Sequence, residues 1–182
     1  VDLDKNGFID TYDQMAIGGT ENPEIVYGFG VNLRWKELDF GAMFQGIGRT
    51  WRILSSNIMP ASNKGSMYNI FDNYQDRWTV DNQSQDVFYP RADYGPNANN
   101  SQKSTWWLRN MSFLRLKNLE LGYSCPKKWL QGFVISNARV FVRGTNLLTF
   151  SKFNLWDPEL ATGDGAKYPA MKSVSVGFDI TF

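Results

Sequence analysis

Apolar and polar residues alternate one by one through several segments of this chain, and that period of two constrains the fold more than any other feature. The last segment is the clearest, with apolar side chains at Val174, Val176, Phe178, Ile180 and Phe182. Successive side chains of a β-strand point to opposite faces of its sheet, so the pattern predicts strands with one apolar and one polar face. Helical spacing is hard to find, and the chain is therefore predicted to be all-β.

The pattern predicts five strands, at residues 25–36, 38–45, 113–123, 138–148 and 173–182. Lys36 and Glu37 are expected to form the tight turn of a hairpin between the first two. Within the third strand, strict alternation would point Leu114 and Leu116 to one face and the leucines from position 119 onward to the other. A β-bulge near Lys117 or Asn118 would reconcile the two phases.

The connections between these strands alternate in length. The first is two residues, the second runs from about residue 46 to 106, the third is of moderate length, and the fourth is again long. One helical turn is expected at 127–131 in the third connection. A connection as long as the second usually signals function or disorder, and it is interpreted as a functional loop. Short turns at one end and long loops at the other are typical of outer-membrane β-barrels.

Composition narrows the classes of protein. Mean hydropathy is −0.39 and no run of about 18 apolar residues occurs, which excludes a membrane-spanning helix. A closed β-barrel is the remaining way for such a chain to cross a bilayer, and the 15% aromatic content suits one. The alternative is a secreted, calcium-containing, carbohydrate-binding β-sandwich, in which the apolar faces of two sheets meet in a core.

Charge and reactive side chains exclude further classes. The formal net charge is +1 without a basic block, so nucleic acid is not an expected partner. The chain has no histidine and a single cysteine, which removes Ser-His, Cys-His and His-metal chemistry. Two acidic pairs, Asp72 with Asp76 and Asp157 with Glu159, suggest a glycosidase, but solvated loop carboxylates explain them more simply. The chain is not expected to be an enzyme.

Residues 2–13 fit the spacing of a calcium-binding loop. Oxygen ligands are expected from the side chains of Asp2, Asp4, Asn6, Asp10 and Asp13 and from the backbone carbonyl of Phe8. Gly7 occupies the sharp turn of the loop. The last position holds aspartate where the motif has the longer glutamate, and the alternative is a solvated turn. Calcium is the only cofactor that the sequence predicts.

Aromatic residues gather in or beside the long loops, at Trp51, Trp78, Tyr89, Tyr94, Trp106, Trp107 and Trp156. Their rings could stack on sugars or contact a protein partner. Alternatively, Trp106 and Trp107 would belong to a girdle at the level of the lipid headgroups, and the others would pack within the loops.

Several motifs resemble one family in their order and spacing. They are SFLRLKNLELGY from Ser112, RGTNLLTFSKF from Arg143, DPE from Asp157, YP at Tyr168, and the ending SVGFDITF. The front of the chain, DLDKNGFIDTYDQMAIGGTENPEIVYGFG, agrees with them. Together they resemble the C-terminal part of SusC/RagA-type TonB-dependent outer-membrane transporters.

This resemblance implies a fold and a function. Residues 1–24 would be the acidic loop and its lead-in, and 25–182 the last antiparallel strands of a transmembrane barrel of about 22 strands with long extracellular loops. A plug, the TonB-contacting segment and about 17 strands would then precede Val1. The resemblance also implies integration in the bacterial outer membrane, contact with its lipid, and TonB-dependent import of oligosaccharides or peptides. A SusD-like surface lipoprotein would cover the barrel.

Overall fold

A computed structural model of the chain describes residues 2–54, 58, 71–92 and 98–182, and within them the chain forms seven strands. The strands are β1 (Ile25–Trp35), β2 (Leu38–Gly48), β3 (Trp51–Ile53), β4 (Leu108–Asn110), β5 (Phe113–Ser124), β6 (Asn137–Ser151) and β7 (Ser173–Thr181). One-turn helices lie at α1 (Ala98–Ser101) and α2 (Lys127–Leu130), and 3-10 turns lie at Thr11–Asp13, Asp72–Gln75, Thr105–Trp107 and Pro158–Leu160. No helix in these described ranges has the length and hydrophobicity needed to span a bilayer.

The five long strands form one antiparallel sheet in the order β1-β2-β5-β6-β7, and β3 pairs with β4 in a separate small sheet. The chain is therefore all-β with antiparallel sheets, and the five predicted strands and the helical turn at α2 are confirmed. β3 and β4 are not among the predicted strands, because a strand of three residues is too short to display a period of two.

Register places most apolar side chains of the five long strands on one surface of the sheet, with Met43 and Phe141 among the exceptions. Two rows illustrate it, Leu33–Phe40–Leu121–Val142–Val176 and Trp35–Leu38–Tyr123–Val140–Phe178, in which neighbours are paired residues. We call this surface the apolar face. The opposite surface, the polar face, carries most of the charged residues of the strands. It includes Asn32, Arg34, Asp39, Glu120, Arg139, Arg143, Ser175 and Asp179.

The bulge predicted near Lys117 is confirmed. On β5, Leu116 pairs with Phe44 and Asn118 with Met43, so that Lys117 has no partner of its own on β2. The pairing between β5 and β6 shifts at the same place. This one-residue irregularity keeps Leu116 and Leu119 on the apolar face although their sequence separation is odd.

The hairpin between β1 and β2 turns at Lys36 and Glu37, as predicted, because Trp35 pairs directly with Leu38. Lys36 adopts φ +54°, the left-handed region that a two-residue hairpin turn requires. Its ammonium lies 5.0 Å from the centre of the Trp35 ring, a distance at which a cation–π interaction forms.

The buried apolar cluster of the described residues lies in the loops and not beneath the sheet. Its buried members are Leu54, Ile58, Tyr89, Trp107, Met111 and Phe153, and Trp106 and Trp156 pack against them. We call this cluster the loop core. It is adjacent to the end of the sheet where β2 finishes, β5 begins and β6 finishes, since Met111 and Phe153 flank those strand ends. The long connections are therefore packed together by their own side chains.

Candidate functional site

The acidic loop at residues 2–13 gathers three carboxylates. Ligand oxygens of Asp2, Asp4 and Asp13 lie within 4.8 Å of one another. The backbone bends sharply between them, because Lys5 and Gly7 both have left-handed φ values, +61° and +87°. A lysine at such an angle is uncommon, whereas the glycine at the predicted turn position accepts it without steric cost.

Backbone N–H groups orient all three carboxylates, and the Asn6 backbone amide donates to Asp4 at 3.1 Å. The amides of Lys5 and Gly7 donate to the Asp2 side chain at 2.6 and 2.9 Å. The amides of Leu3 and Asp10 donate to the two oxygens of Asp13 at 2.6 and 2.8 Å. The hydrogen bonds from Asp10 and Leu3 hold the pKa of Asp13 below its ordinary value, so this group stays ionised to lower pH.

The other three predicted calcium ligands have different surroundings. Asp10 lies outside the carboxylate group and instead caps the turn Thr11–Asp13, where its side chain accepts a hydrogen bond from the Tyr12 amide at 2.8 Å. Asn6 reaches the cluster, because its side-chain amide donates to Asp4 at 3.0 Å. The Phe8 amide donates to the Asn6 side chain at 2.8 Å. The arrangement therefore fits a cation in part, through the three carboxylates and their neighbour Asn6.

The loop aromatics serve mainly to hold the loops together. Tyr89 and Trp107 are each 1% exposed, and their rings pack edge to face at a centroid distance of 6.3 Å. Burial raises the pKa of the Tyr89 phenol, whose hydroxyl bonds to the Asn73 side chain at 3.2 Å. The Trp106 indole donates to the Phe88 carbonyl at 3.0 Å. Packing within the loops therefore describes these residues better than sugar stacking or a headgroup girdle.

Two further aromatics of that set also pack locally. Trp156 contacts Phe153 edge to face at 4.8 Å between ring centres. Trp51 lies directly against Gly19, where a methyl group in place of the glycine hydrogen would meet the indole at 2.9 Å. The Trp51 amide donates to the Thr20 carbonyl at 2.8 Å, which ties the segment after the acidic loop to β3. Tyr94 lies outside the described residues.

The polar face carries a connected group of ion pairs near the end of the sheet that holds the short turn. Arg139 contacts Asp39, Glu120 at 2.6 Å and Asp179 at 3.4 Å, and so links four of the five long strands. Arg143 contacts Glu120 at 2.6 Å. Alternation within β2 and β7 suffices to place Asp39 and Asp179 on the polar face, but their cross-strand partners depend on the register of the strands.

A second ion-pair group ties β5 to the loop after β6. Arg115, whose side chain is 2% exposed, contacts Asp157 and lies 2.8 Å from Glu159. Lys117 reaches Glu159 at 2.9 Å, and the Asp157 side chain also caps the turn Pro158–Leu160. Both carboxylates are thus committed to structural contacts, which agrees with the expectation that this acidic pair is not an acid and base of a glycosidase.

Comparisons with known proteins agree with this fold. No protein-family model matches the chain. TonB-dependent receptor P26 of Formosa agariphila is 31% identical over 196 residues, which cover 100% of this chain and 19% of that receptor. TonB-dependent receptor SusC of Bacteroides thetaiotaomicron is 33% identical over 81 residues, 43% of this chain and 8% of SusC.

Among solved structures, a chain of the RagAB peptide importer in its open-open state superposes with a TM-score of 0.77 and 32% identity. The match covers 100% of this chain and 20% of the RagAB chain, so this chain spans about a fifth of the proteins that it matches over its whole length. By sequence and by fold, the chain is a homologue of one segment of the SusC/RagA-type TonB-dependent receptors.

Proposed function

We propose that this chain supplies the C-terminal strands of the transmembrane barrel of a TonB-dependent importer in the bacterial outer membrane. The observation that carries the proposal is the uncovered apolar face. Val176 and Phe178 on it are 73% and 74% exposed, and the described residues place no second sheet over it. A soluble sandwich would bury such a surface in its core, whereas a barrel turns it toward lipid and its polar face toward the lumen.

The edges of the sheet support the same proposal. β1 and β7 each have one neighbour within the described residues, so one side of each strand is open for pairing. Open edges are not tolerated inside a bilayer, and further strands of a barrel of about 22 would satisfy their backbone groups. Those strands, a plug and the segment that contacts TonB belong to the remainder of the proposed receptor.

The proposed topology places the Lys36–Glu37 turn and the connection containing α2 in the periplasm. The loop core and the acidic loop then lie outside the cell, where a SusD-like lipoprotein would cover the barrel. The imported nutrient is an oligosaccharide or a peptide. Energy for import reaches the plug through TonB, and the residues of this chain contribute the wall and the external loops.

Cysteine labelling on whole cells tests this topology. In the full-length receptor with Cys125→Ser, a cysteine replacing the exposed Asn82 should react with a membrane-impermeant maleimide on intact cells. A cysteine replacing the exposed Gln131, in the connection after α2, is the matched control and should react only after the outer membrane is permeabilised. The reverse pattern would reject the orientation.

We also propose that the acidic loop binds calcium as a structural clip. Asp2, Asp4 and Asp13 would hold the ion, with Asn6, the Phe8 carbonyl and Asp10 completing the set. Three carboxylates this close repel one another unless a cation neutralises them, and calcium prefers oxygen ligands of this kind. The ion would stiffen the loop that leads into β1 without taking part in transport chemistry.

Chelation tests the clip. Calcium at a hundred times its Kd should stabilise the loop by about 2.7 kcal/mol, so EDTA should speed proteolysis near residues 2–13 while the barrel stays folded. Asp13→Asn should abolish this response to calcium. Asp164→Asn, which changes a carboxylate outside the group of three, should preserve it. Identical cleavage rates with and without calcium would rule out the site.

A further inference from the structure

A cleft of about 260 Å³ opens beside the loop core, lined by Phe88, Arg109 and Asn110 together with residues 152–155. It joins β4 to the segment that directly follows β6, at the end of the sheet where the long loops gather. We propose that this cleft binds a carboxylate group of an acidic substrate. The inference rests on the proposed importer, since it requires this end of the sheet to face the medium.

The Arg109 guanidinium is fixed in one orientation within the cleft. One terminal nitrogen donates to the Trp106 and Leu108 carbonyls at 2.5 and 3.2 Å. The guanidinium carbon lies 5.0 Å from the centre of the Phe88 ring. These contacts use one edge of the group and leave its other N–H donors available for a ligand, so the binding geometry is prepared in advance.

Within the described part of the chain, Arg109 lacks the carboxylate partner that several other buried or partly buried arginines have. Arg52, Arg115 and Arg139 are each paired with at least one carboxylate. Among the described residues, neither Arg109 nor Lys152 has an ion pair. Burial lowers the pKa of Arg109, and no carboxylate of the described residues offsets the cost of desolvating its charge. An anion that enters the cleft would therefore bind more favourably here than at a solvated arginine.

The described lining determines the charge and size of the ligand. It contains two cations, two side-chain amides and no carboxylate. The Asn110 oxygen accepts a hydrogen bond from the Ser112 amide at 2.8 Å, which leaves the Asn110 amide as a donor. Donors and positive charge together select an anion. The volume lies slightly below the usual range for small-molecule pockets, so it suits one acidic group of a peptide or of a uronate oligosaccharide.

Calorimetry on the detergent-purified full-length receptor tests the inference, with triglutamate and trigalacturonate as acidic probes and triglutamine and maltotriose as neutral ones. At least one acidic probe should bind, and which one does distinguishes a peptide source from a saccharide source. Arg109→Gln and Lys152→Gln should each weaken that binding about tenfold or more, as expected for the loss of a charged hydrogen bond. Higher salt should weaken it further.

Arg77→Gln is the matched control, because Arg77 also lies over an aromatic ring, 4.7 Å from the centre of the Tyr74 ring, and also donates to a backbone carbonyl, yet does not line the cleft. It should leave the affinity for the acidic probe unchanged.

Lys152 is exposed, so its variant reports on binding without a folding defect. The proposed anion site would be overturned if neutral probes bind as tightly as acidic ones, or if both cleft variants keep the affinity of the unmodified receptor. Either result would leave the proposed import function unaffected. A receptor absent from the outer membrane would instead reject the proposed function.

Discussion

Replacing Phe178 by arginine should destabilise the full-length receptor in lipid by about 2 to 4 kcal/mol. Phe178 is adjacent to the midpoint of β7 and lies on the apolar face, where it pairs with Val140. If that face contacts lipid, the arginine brings a charge into the hydrocarbon near the middle of the bilayer, where its desolvation is most costly. The readout is the free energy of unfolding from urea titrations in vesicles.

Asn118→Arg is the matched control for this variant. Asn118 is exposed on the polar face, in the middle of β5, and Glu120 follows on the same surface. An arginine there would face the aqueous lumen near a carboxylate and should change the free energy of unfolding by less than about 1 kcal/mol. Equal destabilisation by the two variants would show that the apolar face does not contact lipid.

Arg115→Gln should cost about 3 kcal/mol and release the loop after β6. Arg115 is almost fully buried, and its removal leaves Asp157 without its cationic partner at a site where that carboxylate is 13% exposed. Removing one partner of a buried pair costs more than the pair itself contributes, since the remaining charge is uncompensated. Lys117 would still neutralise Glu159, so the loss should concentrate at Asp157.

Hydrogen exchange measures this effect directly. The turn Pro158–Leu160 should exchange faster in Arg115→Gln, because the Asp157 side chain both caps this turn and contacts Arg115. Arg143→Gln is the control: its side chain is 52% exposed and its partner Glu120 keeps a contact with Arg139. Unchanged exchange at the turn in Arg115→Gln would show that packing, and not the ion pair, holds the loop.

Sequence alone predicted the long strands, the Lys36–Glu37 turn and the bulge at Lys117, because each leaves a local signature. A strand with one solvent-exposed face must alternate polar and apolar residues. A change in the phase of this alternation requires an extra residue, as in a β-bulge. The same reasoning missed β3 and β4. Their pairing depends on residues that are more than fifty positions apart, and three residues carry no detectable period.

The candidate sites were less predictable for a related physical reason. Calcium-loop spacing predicts six ligands; in the structure Asp2, Asp4 and Asp13 lie together, and the Asp10 side chain makes a local hydrogen bond that caps a helical turn, as aspartate readily does. Whether Trp107 stacks on a ligand or is buried depends on tertiary packing that composition does not report. The cleft at Arg109 and Lys152 likewise depends on two distant segments meeting.

The order of strands in the sheet has a further consequence for how such receptors can change over evolutionary time. β2 and β5 pair directly although the chain between them, from Arg49 to Ser112, is by far the longest connection. The entropy cost of closing a loop rises only with the logarithm of its length, by about 0.6 kcal/mol for each doubling. Insertions in this connection are therefore inexpensive for the sheet, so the connection can diversify in length and sequence while the five-stranded sheet is retained.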